Sequence, residues 1–121
     1  MSNGKRWMLG LAVLAAAFAA APARAEDREM TLVNVKYEGK VVWINQPLIV
    51  KKGDKVKLTL VNNVKDDPAV HGFSIPAFNV KAEVERGKPA TIEFVADKAG
   101  LFDTNCQLHP GHVRGQILVL E

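Results

Sequence analysis

"KKGDKVKLTLVNN", residues 51–63, decides how the chain is read. Lys51-Lys52-Gly53-Asp54 is a turn signal. After it, Val56, Leu58 and Leu60 alternate with Lys55, Lys57 and Thr59, so one face is apolar and the other is wet. A period of two is the signature of a half-buried strand. The same alternation runs upstream in "TLVNVKY" (31–37). "VVWI" (41–44) and "PLIV" (47–50) are short apolar runs around Asn45-Gln46-Pro47. Downstream, the polar loop "VKDDPAV" (64–70) leads into "HGFSI" (71–75). "RGKPATIEFVA" (86–96), "LFDTN" (101–105) and "QILVL" (116–120) complete the series. No stretch beyond residue 26 keeps a helical period, and the best place for a helical turn is Lys81 to Glu85. Residues 26–30 read as a loose leader. Seven or eight short strands about ten residues apart predict an all-β, antiparallel Greek-key β-sandwich. Trp43, Phe73, Phe94 and Phe102 are assigned to its core.

The N-terminal segment has a different character. Lys5 and Arg6 precede an apolar run from Trp7 to Ala21, and Pro22 and the triplet Ala23-Arg24-Ala25 follow it. Positive, apolar and small-residue regions in that order predict a secretory signal peptide, residues 1–25, cleaved after Ala25. The run is short for a membrane span, which needs about 20 apolar residues. The rest, 26–121, is expected to be a single domain with no membrane span, exported to the periplasm. Lys5, Arg6 and Arg24 account for the whole formal charge of +3, so the expected domain is electrically balanced. Neither a basic cluster nor interleaved aromatics point to nucleic acid.

Chemistry concentrates in "NCQLHPGHVRGQ", residues 105–116. It holds the one cysteine, Cys106, and two of the three histidines, His109 and His112. A lone thiol in an oxidising compartment needs an explanation: burial, an intermolecular bridge or a ligand role. The spacing C-x2-H-x2-H falls where one strand ends and the last begins. His71 starts a strand after its own loop. If that loop lies at the same end, one thiolate and three imidazoles meet. Thiolate and imidazole favour copper or zinc over magnesium, calcium or manganese. One Cys and two His with an axial fourth ligand suit copper, which cycles between Cu(I) and Cu(II). Structural zinc would accept the same donors as a tetrahedron. A Cys–His nucleophile would need an orienting group and an oxyanion site, and nothing near Cys106 announces them.

The stretches "KKGDKVKLTLVNN", "HGFSIPAFNV" and "FVADKAGLFDTNCQLHPGHVRGQILVLE" resemble the cupredoxins over roughly residues 41–121. "GFSIPAF", "ADKAG" and "CQLHP" are similar to nitrosocyanin-like members, and the Cys-to-His loop to amicyanin-like ones. The resemblance implies a Greek-key cupredoxin-like sandwich with one copper ion at one end, held by His71, Cys106 and His109. Two positions depart from it: His71 stands where nitrosocyanin has glutamate, and His112 where amicyanin has its axial methionine. The fourth ligand is therefore expected to be His112, with the Gln116 side-chain oxygen as the alternative. An axial imidazole favours Cu(II) and predicts a lower potential and a green or red site. Pro110 lacks an N–H; it either withholds a donor from the sulfur or simply stiffens the loop. Pro76, Phe78, Leu108, Pro110 and Val113 either finish the core or form an apolar patch for a redox partner protein.

These readings predict a one-electron carrier that is not an enzyme. The rival expectations are a copper-capture or tolerance protein and a small copper-site enzyme.

Overall fold

A computed structural model describes Gly4, Gly10, Ala12 and residues 24–121. The expected signal peptide thus lies almost wholly outside the described residues. The strands are β1 (Asp27–Tyr37), β2 (Lys40–Ile44), β3 (Leu48–Lys51), β4 (Lys55–Asn62) and β5 (Val70–Ile75), then β6 (Val80–Glu85), β7 (Ala90–Val95), β8 (Gly100–Thr104) and β9 (Gly115–Leu120). A single 3₁₀ turn, Pro76–Phe78, separates β5 from β6.

β1 and β2 form a hairpin closed by Glu38 and Gly39, both at positive φ. Two left-handed residues give the turn whose twist matches the strands it joins. β3 then leaves for the opposite layer, and the chain returns as β4 on the other flank of β1. The order of the first sheet is β2-β1-β4-β7. A second sheet runs β3-β9-β8, and β5 and β6 form a two-stranded ribbon. A bridge between Ser74 and Asn105 sews β5 to the segment that follows β8. The inward faces supply one core: Leu32, Val56, Leu58 and Leu60 from the first sheet meet Leu48, Val50, Ile117 and Val119 from the second. Phe73 and Val84 close the ribbon side, and Trp43 sets its edge on Phe73 at 5.6 Å between ring centroids. Phe94 and Phe102 pack against this core while partly exposed.

The all-β reading holds, with four differences. Among the described residues there are nine strands instead of seven or eight. The sheets are mixed: β1 runs parallel to β4 and β3 parallel to β9. Alternation says which face of a strand is buried, not which way its neighbour runs. Lys81 to Glu85 is not helical but belongs to β6, where Val80 and Val84 point inward. Residues 26–30 are not loose, because β1 begins at Asp27 and Asp54 ties the entry down. The buried Asp54 carboxylate accepts from the Glu26 N–H at 2.8 Å, the Lys51 N–H at 2.8 Å and Arg28 Nε at 3.1 Å. Those backbone donors, Glu26 first, hold the Asp54 carboxyl below the ordinary carboxylate range against the opposing effect of burial.

Candidate metal centre

β5 and the turn after β8 build the site. His71 lies on β5 opposite Val84 and is 2% exposed. Cys106 follows the end of β8 by two residues and is buried. Asn105 fixes its position: the Asn105 and Ser74 backbones exchange hydrogen bonds of 2.8 and 3.0 Å, and Ser74 Oγ meets Asn105 Oδ1 at 2.5 Å. Beyond the cysteine the chain turns tightly. The His109 N–H reaches the Cys106 carbonyl at 3.2 Å, and the His112 N–H reaches the His109 carbonyl at 3.0 Å. Two such turns in succession bring the i, i+3 and i+6 side chains to one side. Val113 N–H then donates to the Val41 carbonyl and returns the chain to the sandwich.

One donor atom from each of His71, Cys106, His109 and His112 lies within 4.8 Å of all the others. His109 Nδ1 stands 3.4 Å from Cys106 Sγ. The three imidazole rings have centroids 4.6 to 5.1 Å apart. The spacing pattern and the distant His71 therefore converge. Gln116 does not join them: it is exposed on β9 opposite Asp103, beside a different hollow at Asn45 and Pro47.

The donors are poorly satisfied by the protein itself. Neither ring nitrogen of His71 has a hydrogen-bond partner, nor does His112 Nδ1, although all three are buried. The Pro68 carbonyl approaches His71 without reaching hydrogen-bond geometry. Burial, then the neighbouring His112 and His109 rings, push the His71 pKa down; burial and His109 do the same for His112. Both imidazoles are thus biased toward the neutral form that ligates metal. The sulfur has one defined donor: the Gly72 N–H, 3.2 Å from Sγ. Trp43 Nε1 in turn holds the Gly72 carbonyl at 2.9 Å. The donor to the sulfur therefore comes from β5, whatever Pro110 withholds in the loop.

A cleft of about 250 Å³ opens onto the cluster, with Pro76, Lys81, Pro110 and Arg114 around Cys106, His109 and His112. Leu108 and Val113 are exposed. Phe78 turns inward instead and packs on Phe94 and Phe102. A larger hollow over β1, β4 and β7, lined by Asp27, Arg28, Lys55, Lys57 and Glu93, has no thiol or imidazole.

The sequence pattern of the cupredoxin-like domain matches residues 9–119. The chain belongs to that family. Part of this cupredoxin is similar to nitrous-oxide reductase of Cupriavidus necator, 46% identical over 56 residues, which is 46% of this chain and 9% of that one. Among solved structures it is similar to a copper-containing nitrite reductase from Thermus scotoductus, at 26% identity and a TM-score of 0.65, over 78% of this chain and 28% of that one. A copper nitrite reductase from Nitrosomonas europaea shares the fold, at 24% identity and a TM-score of 0.59, over 78% of this chain and 41% of that one. The cupredoxin thus spans a small part of the reductases it matches.

The donor set fits copper. A buried cysteine sulfur and converging imidazoles, with buried nitrogens left unpaired, make a soft-to-borderline pocket rather than a finished hydrogen-bond network. His71, Cys106, His109 and His112 are the residues that would hold one ion. No helix among the described residues is long and apolar enough to cross a membrane.

Proposed function

We propose that this cupredoxin is a periplasmic one-electron carrier that moves electrons between larger redox proteins and makes no bonds of its own. The observation that carries the reading is the convergence of four donor atoms within 4.8 Å at one end of a β-sandwich. When bound there, copper supplies a one-electron couple between Cu(I) and Cu(II). The chain's own residues do the rest. β5 and Asn105 hold His71 and Cys106 in place, and a site on rigid elements rearranges little. The Gly72 N–H draws charge from the thiolate, and burial excludes water from it.

His109 and His112 lie at the cleft, so the partner protein docks there. Pro76, Leu108, Pro110 and Val113 offer it apolar contact, and Lys81 and Arg114 flank the opening. Four protein donors leave no vacant position for a substrate, which supports a carrier over an enzyme. The N-terminal order of charge, apolar run and small residues supports export.

Copper-loaded protein, followed by visible and electron paramagnetic resonance spectra, tests the reading. A carrier is reduced and reoxidised repeatedly without losing metal, and Cys106→Ser abolishes the sulfur-to-copper band. Release of copper to a chelator in one oxidation state would instead establish copper capture. A spectrum changed by azide or nitrite would establish an open, enzyme-like site. Preferential recovery of zinc would make the site structural.

A further inference from the structure

Gln107, directly after the cysteine, is not a member of the four-residue cluster, yet its side chain is committed to it. Nε2 donates to the Ala82 carbonyl on β6 at 2.9 Å. Oε1 is buried and accepts nothing. Burying an unpaired carbonyl oxygen is costly, and such an atom in a native fold calls for a reason. The reason lies at Gly72. A Cβ built there would strike Gln107 Oε1, and would lie 2.6 Å from Cδ and 2.8 Å from Nε2. The Gln107 carboxamide therefore occupies the space a side chain would fill, with its oxygen facing the Gly72 Cα–H, a weak contact that glycine alone permits. Gly72 is absent from the positive-φ glycines, so it serves here for space, not for an unusual backbone. It is also the residue whose N–H reaches Cys106 Sγ and whose carbonyl takes the Trp43 hydrogen bond.

We propose that Gln107 is a positioning residue for the thiolate. Its carboxamide covers Gly72 and, tied to Ala82, presses the β5 backbone against the sulfur. It thereby keeps water from competing for the Gly72 N–H and sets the electron density on Cys106. Loss of that hydrogen bond leaves the sulfur more electron-rich, which favours Cu(II) and lowers the potential.

The test has a metal-free and a copper-loaded arm. In metal-free protein, hydrogen exchange followed by nuclear magnetic resonance should show the Gly72 amide exchanging at least tenfold faster in Gln107→Ala. Leu58 and Leu60 amides in the core should keep their rates. Gln107→Met, which keeps bulk over Gly72 but loses the tie to Ala82, should fall between. Gly72→Ala should expel Gln107, and the two substitutions together should cost less than their separate effects combined. In copper-loaded protein, Gln107→Ala should shift the couple about tenfold toward Cu(II), about 59 mV for one electron. Unchanged Gly72 exchange, equal acceleration at Leu58 and Leu60, or an unchanged potential overturns the proposal. The potential arm rests on the electron-carrier reading, whereas the exchange arm does not. A wild-type protein whose copper fails to cycle would end that reading, and Gly72 exchange would still decide this one.

Discussion

His71→Leu should make the metal-free protein more stable while destroying the centre. His71 is 2% exposed and neither ring nitrogen has a partner. Each unmade buried hydrogen bond costs roughly 1–3 kcal/mol. Leucine removes both polar atoms at similar volume. It gives up the ring contacts at 5.0 and 5.1 Å to His109 and His112, worth roughly 0.5–1.5 kcal/mol each. The balance is a gain of about 2 kcal/mol, or roughly 8–16 °C in Tm for a domain of this size. Copper reverses the order, since free ion at a hundred times Kd adds about 2.7 kcal/mol to the wild type alone. pH gives a second handle. The folded His71 pKa is depressed below its ordinary 6.5, so the unfolded chain takes up a proton first. Wild-type stability is full above that value and falls as pH drops through the folded pKa. The leucine variant should show a shallower fall. Urea denaturation of both proteins, with and without copper, at pH 7.5 and 5.5, measures all of this. A metal-free His71→Leu protein less stable than wild type at pH 7.5 would refute the claim that those nitrogens are unsatisfied.

His112→Met should raise the potential by more than tenfold in the Cu(I)/Cu(II) affinity ratio, about 59 mV, and move the spectrum from green or red toward blue; an already fully axial blue wild-type spectrum would remove His112 from the ligand set. Asp54→Asn keeps the shape of the entry turn but weakens charge-assisted bonds to Glu26, Lys51 and Arg28, and should cost about 3 kcal/mol at pH 7. Because the folded Asp54 pKa is depressed below 3.8, its contribution is present above that value and is lost as pH falls through the folded pKa. Melts from pH 6 to 2 should therefore converge for wild type and variant at the acid end, and parallel curves would rule the network out as the cause.

What the sequence disclosed follows from which interactions are local. β4 was legible because Val56, Leu58 and Leu60 declare one face without reference to any other strand. β6 was not: Lys81, Glu83 and Glu85 crowd the pattern with charge, and only the packing of Val80 and Val84 settles it. The first residues of β1 hid for the same reason. Glu26 and Arg28 read as solvated until Asp54, far along the chain, turns out to be their partner. Within the site, Cys106, His109 and His112 announce themselves by spacing, and His71 by being the remaining imidazole. Gly72 and Gln107 give no such sign. A backbone N–H has no letter in the sequence, and a glycine needed for space looks like any other glycine until the side chain that fills the space is seen beside it.

The two halves of the centre are held differently, and this bears on how it works. His71 lies within a paired strand, and Cys106 is fixed through Asn105 and Gly72, so neither moves without disturbing β5. His109 and His112 ride on a turn stitched by two backbone bonds and returned to the sandwich at Val113. Any adjustment demanded of the four donors therefore falls first on the turn, the side that faces the cleft. His71 and Cys106 would hold an ion from the rigid side, and the half-buried His109 and His112 would take up any adjustment from the turn. If instead the inner pair yielded, Trp43 would lose its acceptor at Gly72, and the indole would report the change by fluorescence when copper binds.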